Sequence, residues 1–338
     1  MAVSQRPAEA TTVALTGATG FIGSAVLAAL TARGVRVRAL VRREPPAPGD
    51  GIDRIRGARP GEVDWIRGDL ADRAALAGLC EGAGVLLHLA SLVGGGAEDC
   101  EAVNDRGTAA VMAAAGRAGV GRIVHLSTTA VYGEGPHSGI DVDGVPPAPF
   151  SEASRTRLIG EQHALAAGAL VLRPALVTGA GDRWVVPGLA ELARRVPARW
   201  EGGRALLSLV DRTDLARLIT ALALDAPAPV VGVQHAAHPI PVRASELLDA
   251  LAALGLLPVL DGPALPWAEC RRRLAAAPGR VSERQFTMIA CDHWYRSEEI
   301  WRLAACPPGP GPLARLTEAA PWYRTALGLD QRESSDTP

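Results

Sequence analysis

The sequence predicts an α/β fold in which a doubly wound parallel sheet is followed by a smaller C-terminal part. Two observations lead to this prediction. Short β-branched and apolar runs alternate with Ala- and Leu-rich helical stretches along the first half of the chain, and proline punctuates the sequence after about residue 178. Strands that alternate with helices are joined by right-handed crossovers, which place the strands parallel in one sheet.

Hydrophobic periodicity gives the order of the elements. The predicted strands cover 12–16, 35–41, 63–70, 85–90, 122–133 and 169–174, of which 63–70 ends in a turn and 122–133 runs into a loop. The predicted helices cover a stretch that ends near residue 33, then about 71–80, 102–118, 151–167 and 187–195. Two Pro- and Gly-rich stretches, 44–61 and 134–150, are predicted to be loops, and we expect the second to lie over the site.

Composition excludes several classes of protein. The 338 residues are 48% hydrophobic and carry a formal net charge of −1, so we expect neither nucleic acid nor a membrane as a partner. No apolar run is long enough to span a bilayer, and the N-terminal residues lack the apolar stretch of a signal peptide. Five cysteines without a C-x-x-C pair are typical of reduced thiols in a cytoplasmic protein.

All 35 basic residues are arginine. The absence of lysine excludes every mechanism that needs a lysine amine, such as a Schiff base or a Walker-type phosphate site. No group of His, Cys and Asp residues has metal-ligand spacing, so we expect no metal site.

A glycine-rich segment, T-G-A-T-G-F-I-G at 16–23, lies between the first predicted strand and the first predicted helix. A helix N-terminus there offers free N–H groups, and glycines let a pyrophosphate approach the backbone. This context predicts a Rossmann-type dinucleotide site, with the spacing G-x-x-G-x-x-G instead of G-x-G-x-x-G. The predicted contacts are Gly17, Thr19, Gly20, Phe21, Ile22 and Gly23.

The end of the second strand selects between the two nicotinamide dinucleotides. Val41 takes the place of the carboxylate that would bind the ribose of NAD, and Arg42 and Arg43 follow it. A guanidinium can bind a 2′-phosphate through two hydrogen bonds, so we favour NADPH, with NADH as the alternative. The two arginines could equally be solvated surface charges. Asp69 has two interpretations, an acceptor for the adenine amine or a cap for the next helix.

These patterns predict the organisation of the chain. We expect an NADP(H)-binding Rossmann domain over residues 1–177, with further elements of it up to about 235. A substrate-binding and lid region over 178–330 is interleaved with this domain, and the polar tail 331–338 is expected to be disordered.

Further motifs follow the glycine-rich segment in a recognisable order. They are G-D-L (68–70), H-L-A (88–90), V-N-D-R-G-T (103–108), G-V-G-R-I-V-H-L-S-T-T-A-V-Y-G (119–133), L-R-P (172–174) and L-V-D-R-T-D-L-A (209–216). Together they resemble the extended short-chain dehydrogenases/reductases, the group of sugar epimerases, dehydratases and ketone reductases. The resemblance implies an NAD(P)-dependent enzyme with further cofactor contacts at Leu70, Leu89, Ala90, Ser91, Arg157 and Pro174.

The acid–base pair of that family is missing. The resemblance places a Tyr and a Lys four residues apart just before L-x-G-E, and because L-I-G-E is 158–161 here, these positions are Ala153 and Arg157. None of the three tyrosines has a basic residue four positions later, so the pair does not lie elsewhere. The family mechanism with a tyrosine acid is therefore excluded.

Hydride transfer depends mainly on positioning, and a general acid adds only about 10²–10⁴-fold. The proton could come from the substrate or from water. Ser127, Thr128, Thr129 and Ser91 remain to orient the carbonyl group, Thr128 being the family's hydroxyl position. Their alternative role is a local hydrogen bond at a strand end.

The sequence thus predicts an NADPH-dependent ketoreductase without the Tyr–Lys pair. A wide apolar C-terminal part suits a bulky aromatic polyketide. In lacking the Tyr–Lys pair, the chain resembles atypical ketoreductases of angucyclinone antibiotic biosynthesis. The alternatives are a non-catalytic NADP(H)-binding regulator and a sugar-nucleotide epimerase- or dehydratase-like enzyme. We expect a small-molecule substrate and a monomer or homodimer.

Overall fold

The computed structural model describes residues 11–44 and 63–330. The predicted tail 331–338, the first ten residues and most of the predicted loop 44–61 lie outside the described residues. Within the described ranges, none of the helices has the length and hydropathy that crossing a membrane requires.

The strands and helices have the following bounds. The strands are β1 (Val13–Thr16), β2 (Val37–Val41), β3 (Val63–Arg67), β4 (Val85–His88), β5 (Arg122–Leu126), β6 (His137–Ile140), β7 (Leu170–Arg173), β8 (Leu176–Thr178), β9 (Arg199–Trp200), β10 (Leu206–Leu207), β11 (Leu209–Asp211), β12 (Gly232–His235), β13 (Val242–Arg243), β14 (Ala264–Leu265) and β15 (His293–Tyr295). The helices are α1 (Phe21–Ala32), α2 (Arg73–Cys80), α3 (Ala97–Cys100), α4 (Thr108–Ala118), α5 (Glu152–Ala166), α6 (Val185–Arg195), α7 (Arg212–Leu224), α8 (Ala244–Ala253), α9 (Trp267–Ala276), α10 (Glu283–Ala290), α11 (Glu298–Leu303) and α12 (Pro312–Ala326).

A seven-stranded parallel sheet carries the fold, with the strand order β12-β7-β5-β4-β1-β2-β3. From β1 the next two strands are added on one side of the sheet and β4 is added on the other, so the strand order reverses between the neighbours β1 and β4. In sheets of this kind ligands bind outside the carboxyl ends of the strands at such a switch point. The predicted doubly wound Rossmann-type fold is confirmed.

Helices cover both faces of this sheet. Alternate residues of β1 point to opposite faces, so Val13 and Leu15 pack with α1 and α7, whereas Ala14 packs with α2 and α4. Leu27 of α1 and Leu76 of α2 are almost fully buried in these two layers. Both faces of the sheet are therefore covered by helices, and the ends of its strands are left to face a ligand.

A second core lies in the C-terminal part of the chain. A four-stranded sheet in the order β13-β10-β15-β6 borders it, and two shorter strand pairs, β8 with β11 and β9 with β14, connect neighbouring segments. Its centre is aromatic, since the ring of Trp200 contacts that of Phe286 at 4.8 Å between centroids. This core supports the wall of the site that faces the sheet.

Two predicted elements differ from the structure. The predicted loop 134–150 contains β6, which pairs in parallel with β15 from His137 opposite His293. Its partner strand lies more than 150 residues away in the sequence. Because glycine and proline flank so short a strand, the local sequence pattern does not predict it. The helix predicted over 102–118 begins earlier, at Ala97, and passes through a π-helical stretch over Glu101–Gly107 before α4.

His88 is fully buried at the end of β4. Its Nδ1 lies 2.7 Å from the Thr16 hydroxyl and its Nε2 lies 3.0 Å from the Thr108 hydroxyl. The ring of His125 stacks on it at 5.1 Å. Burial lowers the pKa of His88 to about 4, so the imidazole is neutral near pH 7.

We expect the free energy of unfolding to fall as the pH falls from about 6.5 to about 4. The pKa of His88 is lower in the folded chain, so the unfolded chain takes up the proton first, which costs about 2 kcal/mol at about pH 5. Urea unfolding at a series of pH values measures this loss. His88→Gln keeps two hydrogen-bonding groups without titrating and should make the curve less steep, while His125 and His235, whose pKa values burial also lowers, keep part of the slope. A variant as steep as the parent would contradict the assignment.

Candidate active site

One cavity of about 900 Å³ opens along the carboxyl ends of β1, β4, β5 and β7. It brings together the following predicted residues: Gly17, Thr19, Gly20, Phe21, Ile22, Gly23, Leu89, Ser91, Ser127, Thr128, Thr129, Ala153, Arg157 and Pro174. It does not include the following predicted residues: Arg42, Arg43, Asp69, Leu70 and Ala90. The cavity thus joins the glycine-rich segment to the positions that carry the chemistry in the resembled family.

The glycine-rich segment forms a close-packed cradle at the start of α1. Gly17 has φ +76°, and a Cβ there would lie 2.7 Å from the backbone nitrogen of Ala90. A Cβ on Gly23 would lie only 2.0 Å from the carbonyl oxygen of Gly17. Each position therefore requires glycine, for conformation or for space. Ala90 takes part through its backbone, which packs against Gly17.

The N-terminus of α1 is free to bind an anion. Its N-cap is Gly20, no side chain accepts a hydrogen bond from its first N–H groups, and its first turn contains no acidic residue. Uncapped N–H groups and the positive end of the helix dipole suit a phosphate. The cradle therefore fits the pyrophosphate of a nicotinamide dinucleotide, which its backbone would hold.

The predicted contacts after β2 and β3 lie outside the lining of the cavity. Arg42 and Arg43 are exposed directly after β2. The one acid described beside them, Glu44, lies 3.3 Å from Arg67 in an ion pair. The Asp69 carboxylate accepts hydrogen bonds from the backbone nitrogens of Ala71 at 2.8 Å and Asp72 at 3.1 Å. The side chain of Leu70 packs against Gly107.

Asp69 therefore orders the turn before α2, while the N-cap of that helix is Asp72, which accepts hydrogen bonds from Ala74 and Ala75. An adenine contact by Asp69 stays a prediction.

The three hydroxyls after β5 have different hydrogen-bonding capacities. Ser127 is fully buried and donates its hydrogen to Glu161, so it can only accept a bond from a ligand. Thr128 is half-buried, and its hydroxyl oxygen accepts from the Ala130 nitrogen at 3.1 Å. No described residue accepts the hydrogen of Thr128. Thr129 is buried, and its hydroxyl is hydrogen-bonded to the side chain of Tyr295. Thr128 is therefore the hydroxyl best placed to donate a hydrogen bond to a carbonyl group in the cavity.

The two positions of the missing acid–base pair lie one turn apart on α5. Ala153 leaves open the space that a tyrosine ring would fill. Arg157 donates from Nη2 to the carbonyl oxygen of Leu126 at 3.2 Å, and its buried Nε has no hydrogen-bond partner among the described residues. Burial lowers the pKa of Arg157 to about 10, which still leaves a cation at pH 7.

The loop after β4 is fixed by Asn104 in the π-helical stretch. Its side-chain oxygen accepts from the Leu92 nitrogen at 2.8 Å, and its side-chain nitrogen donates to the Leu92 carbonyl at 2.9 Å. The same nitrogen donates to Thr156 of α5 at 3.0 Å. Asn104 thereby holds the segment that carries Ser91 against the helix that carries Arg157.

Several lining residues were not predicted. Arg212, at the start of α7, lies over the ring of Phe21 at 5.4 Å and donates to the Ser24 hydroxyl at 3.2 Å. It belongs to the motif at 209–216, so the motif was the signal that could have found it. The far wall is formed by Trp184, Gln285, Met288, His293, Tyr295 and Trp322. These positions come from four separate segments of the chain.

A sequence model of the NAD dependent epimerase/dehydratase family matches residues 13–232, about two thirds of the chain. The chain belongs to this family. Membership confirms the predicted class of protein, an NAD(P)-dependent enzyme of the extended short-chain dehydrogenase/reductase type. The resemblance places the tyrosine position of that type at Ala153.

Several curated relatives carry reductase names, and two of them are described here. A 4-hydroxy-2-methyl-3-oxo-4-farnesyl-3,4-dihydroquinoline-1-oxide ketoreductase of Stigmatella aurantiaca is 38% identical over 204 residues, 57% of this chain and 59% of the relative. A 2-alkyl-3-oxoalkanoate reductase of Stenotrophomonas maltophilia is 34% identical over 268 residues, 74% of this chain and 77% of the relative. The chain therefore spans less than two thirds of the first relative's length.

Solved structures share the fold across nearly the whole chain. The terminal R domain from the myxalamid PKS-NRPS biosynthetic pathway has a TM-score of 0.72 at 21% identity, covering 95% of this chain and 92% of that one. A short-chain dehydrogenase/reductase superfamily protein from Agrobacterium tumefaciens with bound NAD has a TM-score of 0.69 at 24% identity, covering 95% and 99%. At these identities the likeness establishes the fold.

Gly23→Ala is expected to weaken NADPH binding at least about tenfold, because the added Cβ would collide with the Gly17 carbonyl and open the cradle. Isothermal titration calorimetry measures the affinity. Gly116→Ala is the matched control, since nothing lies within 4 Å of a Cβ at this position of α4. The control should bind NADPH normally, with stability equal to the parent's or higher by up to about 1 kcal/mol. Equal affinity in both variants would refute the cradle.

Proposed function

We propose that the protein is an NADPH-dependent ketoreductase that reduces a ketone to a hydroxyl on a bulky aromatic polyketide of the angucyclinone type, in antibiotic biosynthesis. The proposed reaction resembles that of the atypical ketoreductase of simocyclinone biosynthesis. The observation that carries the proposal is the 900 Å³ cavity, which extends from the cofactor cradle into the space left open at Ala153.

The lining of the cavity supports a large apolar substrate. Aromatic and apolar side chains form the wall opposite the cradle, among them Trp184, Met288 and Trp322. Trp184 is 65% exposed, so an apolar ring stands at the mouth of the cavity. A protein that only sensed NADP(H) would have no need of such a wall, which favours an enzyme over the regulator.

The names of the relatives support reduction of a ketone. The substrates in the names of the two relatives described above each contain a 3-oxo group, one on a farnesyl-bearing ring and one on an alkanoate chain. An epimerase or dehydratase normally needs the tyrosine to take up or release a substrate proton, and this chain has Ala153 there. Reduction fits the residues better than either alternative.

The chain's own residues would act mainly by positioning. The reduced cofactor supplies the hydride when bound. Thr128 donates a hydrogen bond to the ketone oxygen, and Arg157 places a positive charge beside it. The substrate or water supplies the proton, since the family's tyrosine is absent and the Ser127 hydrogen is already donated to Glu161.

Replacing both Arg42 and Arg43 by Ala should weaken NADPH binding about 10–100-fold and leave NADH binding unchanged. The two arginines together would lose charge-assisted hydrogen bonding to the 2′-phosphate worth about 1.5–3 kcal/mol. Calorimetric titrations with both cofactors measure the difference. Arg33→Ala is the control, because this exposed arginine pairs with Asp225 at the far end of α1. Equal losses for both cofactors would contradict the NADPH assignment.

When purified protein is mixed with NADPH and an angucyclinone ketone, we expect NADPH to be oxidised, which is measured as a fall in the absorbance of the reduced nicotinamide. Tight NADPH binding without any turnover would refute the function.

Ala153→Tyr should lower kcat/KM for the bulky ketone at least about tenfold, because the ring fills the space that the substrate needs. Ala166→Tyr, at the exposed end of the same helix, is the control. A large gain of activity in Ala153→Tyr would show that the position is a defect.

A further inference from the structure

Arg212 places a positive charge beside the glycine-rich cradle. It is the first residue of α7, it lines the cavity, and its Cζ lies 5.4 Å from the centroid of the Phe21 ring. Phe21 is the first residue of α1 and follows the N-cap Gly20, whose side carries no capping group. The guanidinium therefore lies over the first turn of the helix whose N–H groups are free.

Two hydrogen bonds fix the guanidinium in this place. Nη2 donates to the Ser24 hydroxyl at 3.2 Å, and Nη1 donates to the carbonyl oxygen of Ala180. The backbone at Gly181 packs closely on the same group, since a Cβ there would lie 3.0 Å from the Phe21 ring and 3.2 Å from Nη1. Arg212 is therefore held between the start of α1 and the segment that precedes α6.

The charge of Arg212 and most of its donors are left for a ligand. Only two of the five N–H groups of the guanidinium donate to residues in the ranges 11–44 and 63–330. Asp211 attracts the guanidinium, but this carboxylate accepts a hydrogen bond from the Thr213 nitrogen at 2.7 Å and caps α7. Burial lowers the pKa of Arg212, as expected for a half-buried cation without a bound anion. A negatively charged ligand is therefore favoured here.

The diphosphate is the part of the cofactor that fits this position. Phosphates bind at the free N–H groups of a helix N-terminus, and arginine binds them through two parallel hydrogen bonds. The 2′-phosphate is expected elsewhere, beside Arg42 and Arg43 after β2. The nicotinamide and its ribose carry no negative charge.

We propose that Arg212 binds the diphosphate of the cofactor, so that one guanidinium from α7 acts together with the backbone N–H groups of α1. This proposal rests on the nucleotide-binding part of the proposed function and not on the ketone. Arg212 also bonds Ala180, four residues before Trp184 of the far wall. The same side chain therefore connects the cofactor to the segment that carries part of the substrate wall.

Fragments of the cofactor test this proposal without turnover. ADP contains the diphosphate and lacks the 2′-phosphate, whereas adenosine 2′-monophosphate contains the 2′-phosphate and lacks the diphosphate. Arg212→Met should weaken binding of ADP and NADP⁺ at least about tenfold, and should change the affinity for adenosine 2′-monophosphate by less than about twofold. Isothermal titration calorimetry measures all three. The affinity for ADP should also depend less on salt concentration, because one charge pair is lost.

Two further variants locate the effect. Arg217→Met is the matched control, because Arg217 lies further along α7 and pairs with Asp214, which Arg315 also binds. It should bind all three ligands like the wild type. Arg212→Lys keeps the charge but not the planar fork, so it should lose at least about threefold in ADP affinity and less than Arg212→Met. If Arg212→Met does not fold, Arg212→Lys decides in its place.

Replacing both Arg42 and Arg43 by Ala should give the opposite pattern, with weaker binding of adenosine 2′-monophosphate and unchanged binding of ADP. Unchanged ADP affinity in the variants of Arg212 would overturn the proposal. An equal loss for ADP and adenosine 2′-monophosphate would also overturn it, because the substitution would then disturb the cavity as a whole. Failure of the proposed function is distinguishable, since the wild type would then bind ADP and NADP⁺ but reduce no ketone with NADPH. A wild type that bound neither nucleotide would overturn both.

Discussion

Glu161 and Arg173 form a buried ion pair beneath the cavity, with both side chains almost fully excluded from solvent. The pair ties α5 to β7, and the bond from Ser127 to Glu161 adds the end of β5. Arg173 also donates to the Tyr132 hydroxyl at 2.8 Å. Removing one partner of such a pair leaves an unmatched buried charge, which typically costs about 3–5 kcal/mol. The orientation of α5, and with it the position of Ala153 and Arg157, depends on this pair.

The same ion pair limits what Glu161 offers to Arg157. Glu161 already accepts hydrogen bonds from Arg173 and Ser127, so it attracts the charge of Arg157 one turn away without a hydrogen bond to it among the described residues. A Lys at this position could lose its proton when buried, whereas an arginine stays charged. By the family resemblance, Ala153 and Arg157 stand where the tyrosine and lysine would be, so the usual proton donor is missing while the cofactor cradle is retained.

The sequence could predict the half of the site that is built from local patterns. The cradle at 16–23 depends on glycines whose spacing is visible in a single turn, and the loss of the acid–base pair follows from counting residues before L-I-G-E. The opposite wall could not be predicted as a whole, because residues such as Trp184, Met288 and Trp322 come from distant segments and meet only through tertiary packing. Nor could the bond that occupies the Ser127 hydroxyl, since it depends on which face of α5 meets β5.

The pairing of β6 with β15 has an evolutionary consequence. It joins the segment after β5 to a strand near the end of the chain, and β15 supplies His293 and Tyr295 to the cavity wall. This small sheet is separate from the seven-stranded one that presents the cradle. Mutations that reshape the wall therefore leave the strand pairing of the nucleotide half unchanged. One ancestral scaffold can in this way acquire new substrates while it keeps the same nicotinamide cofactor.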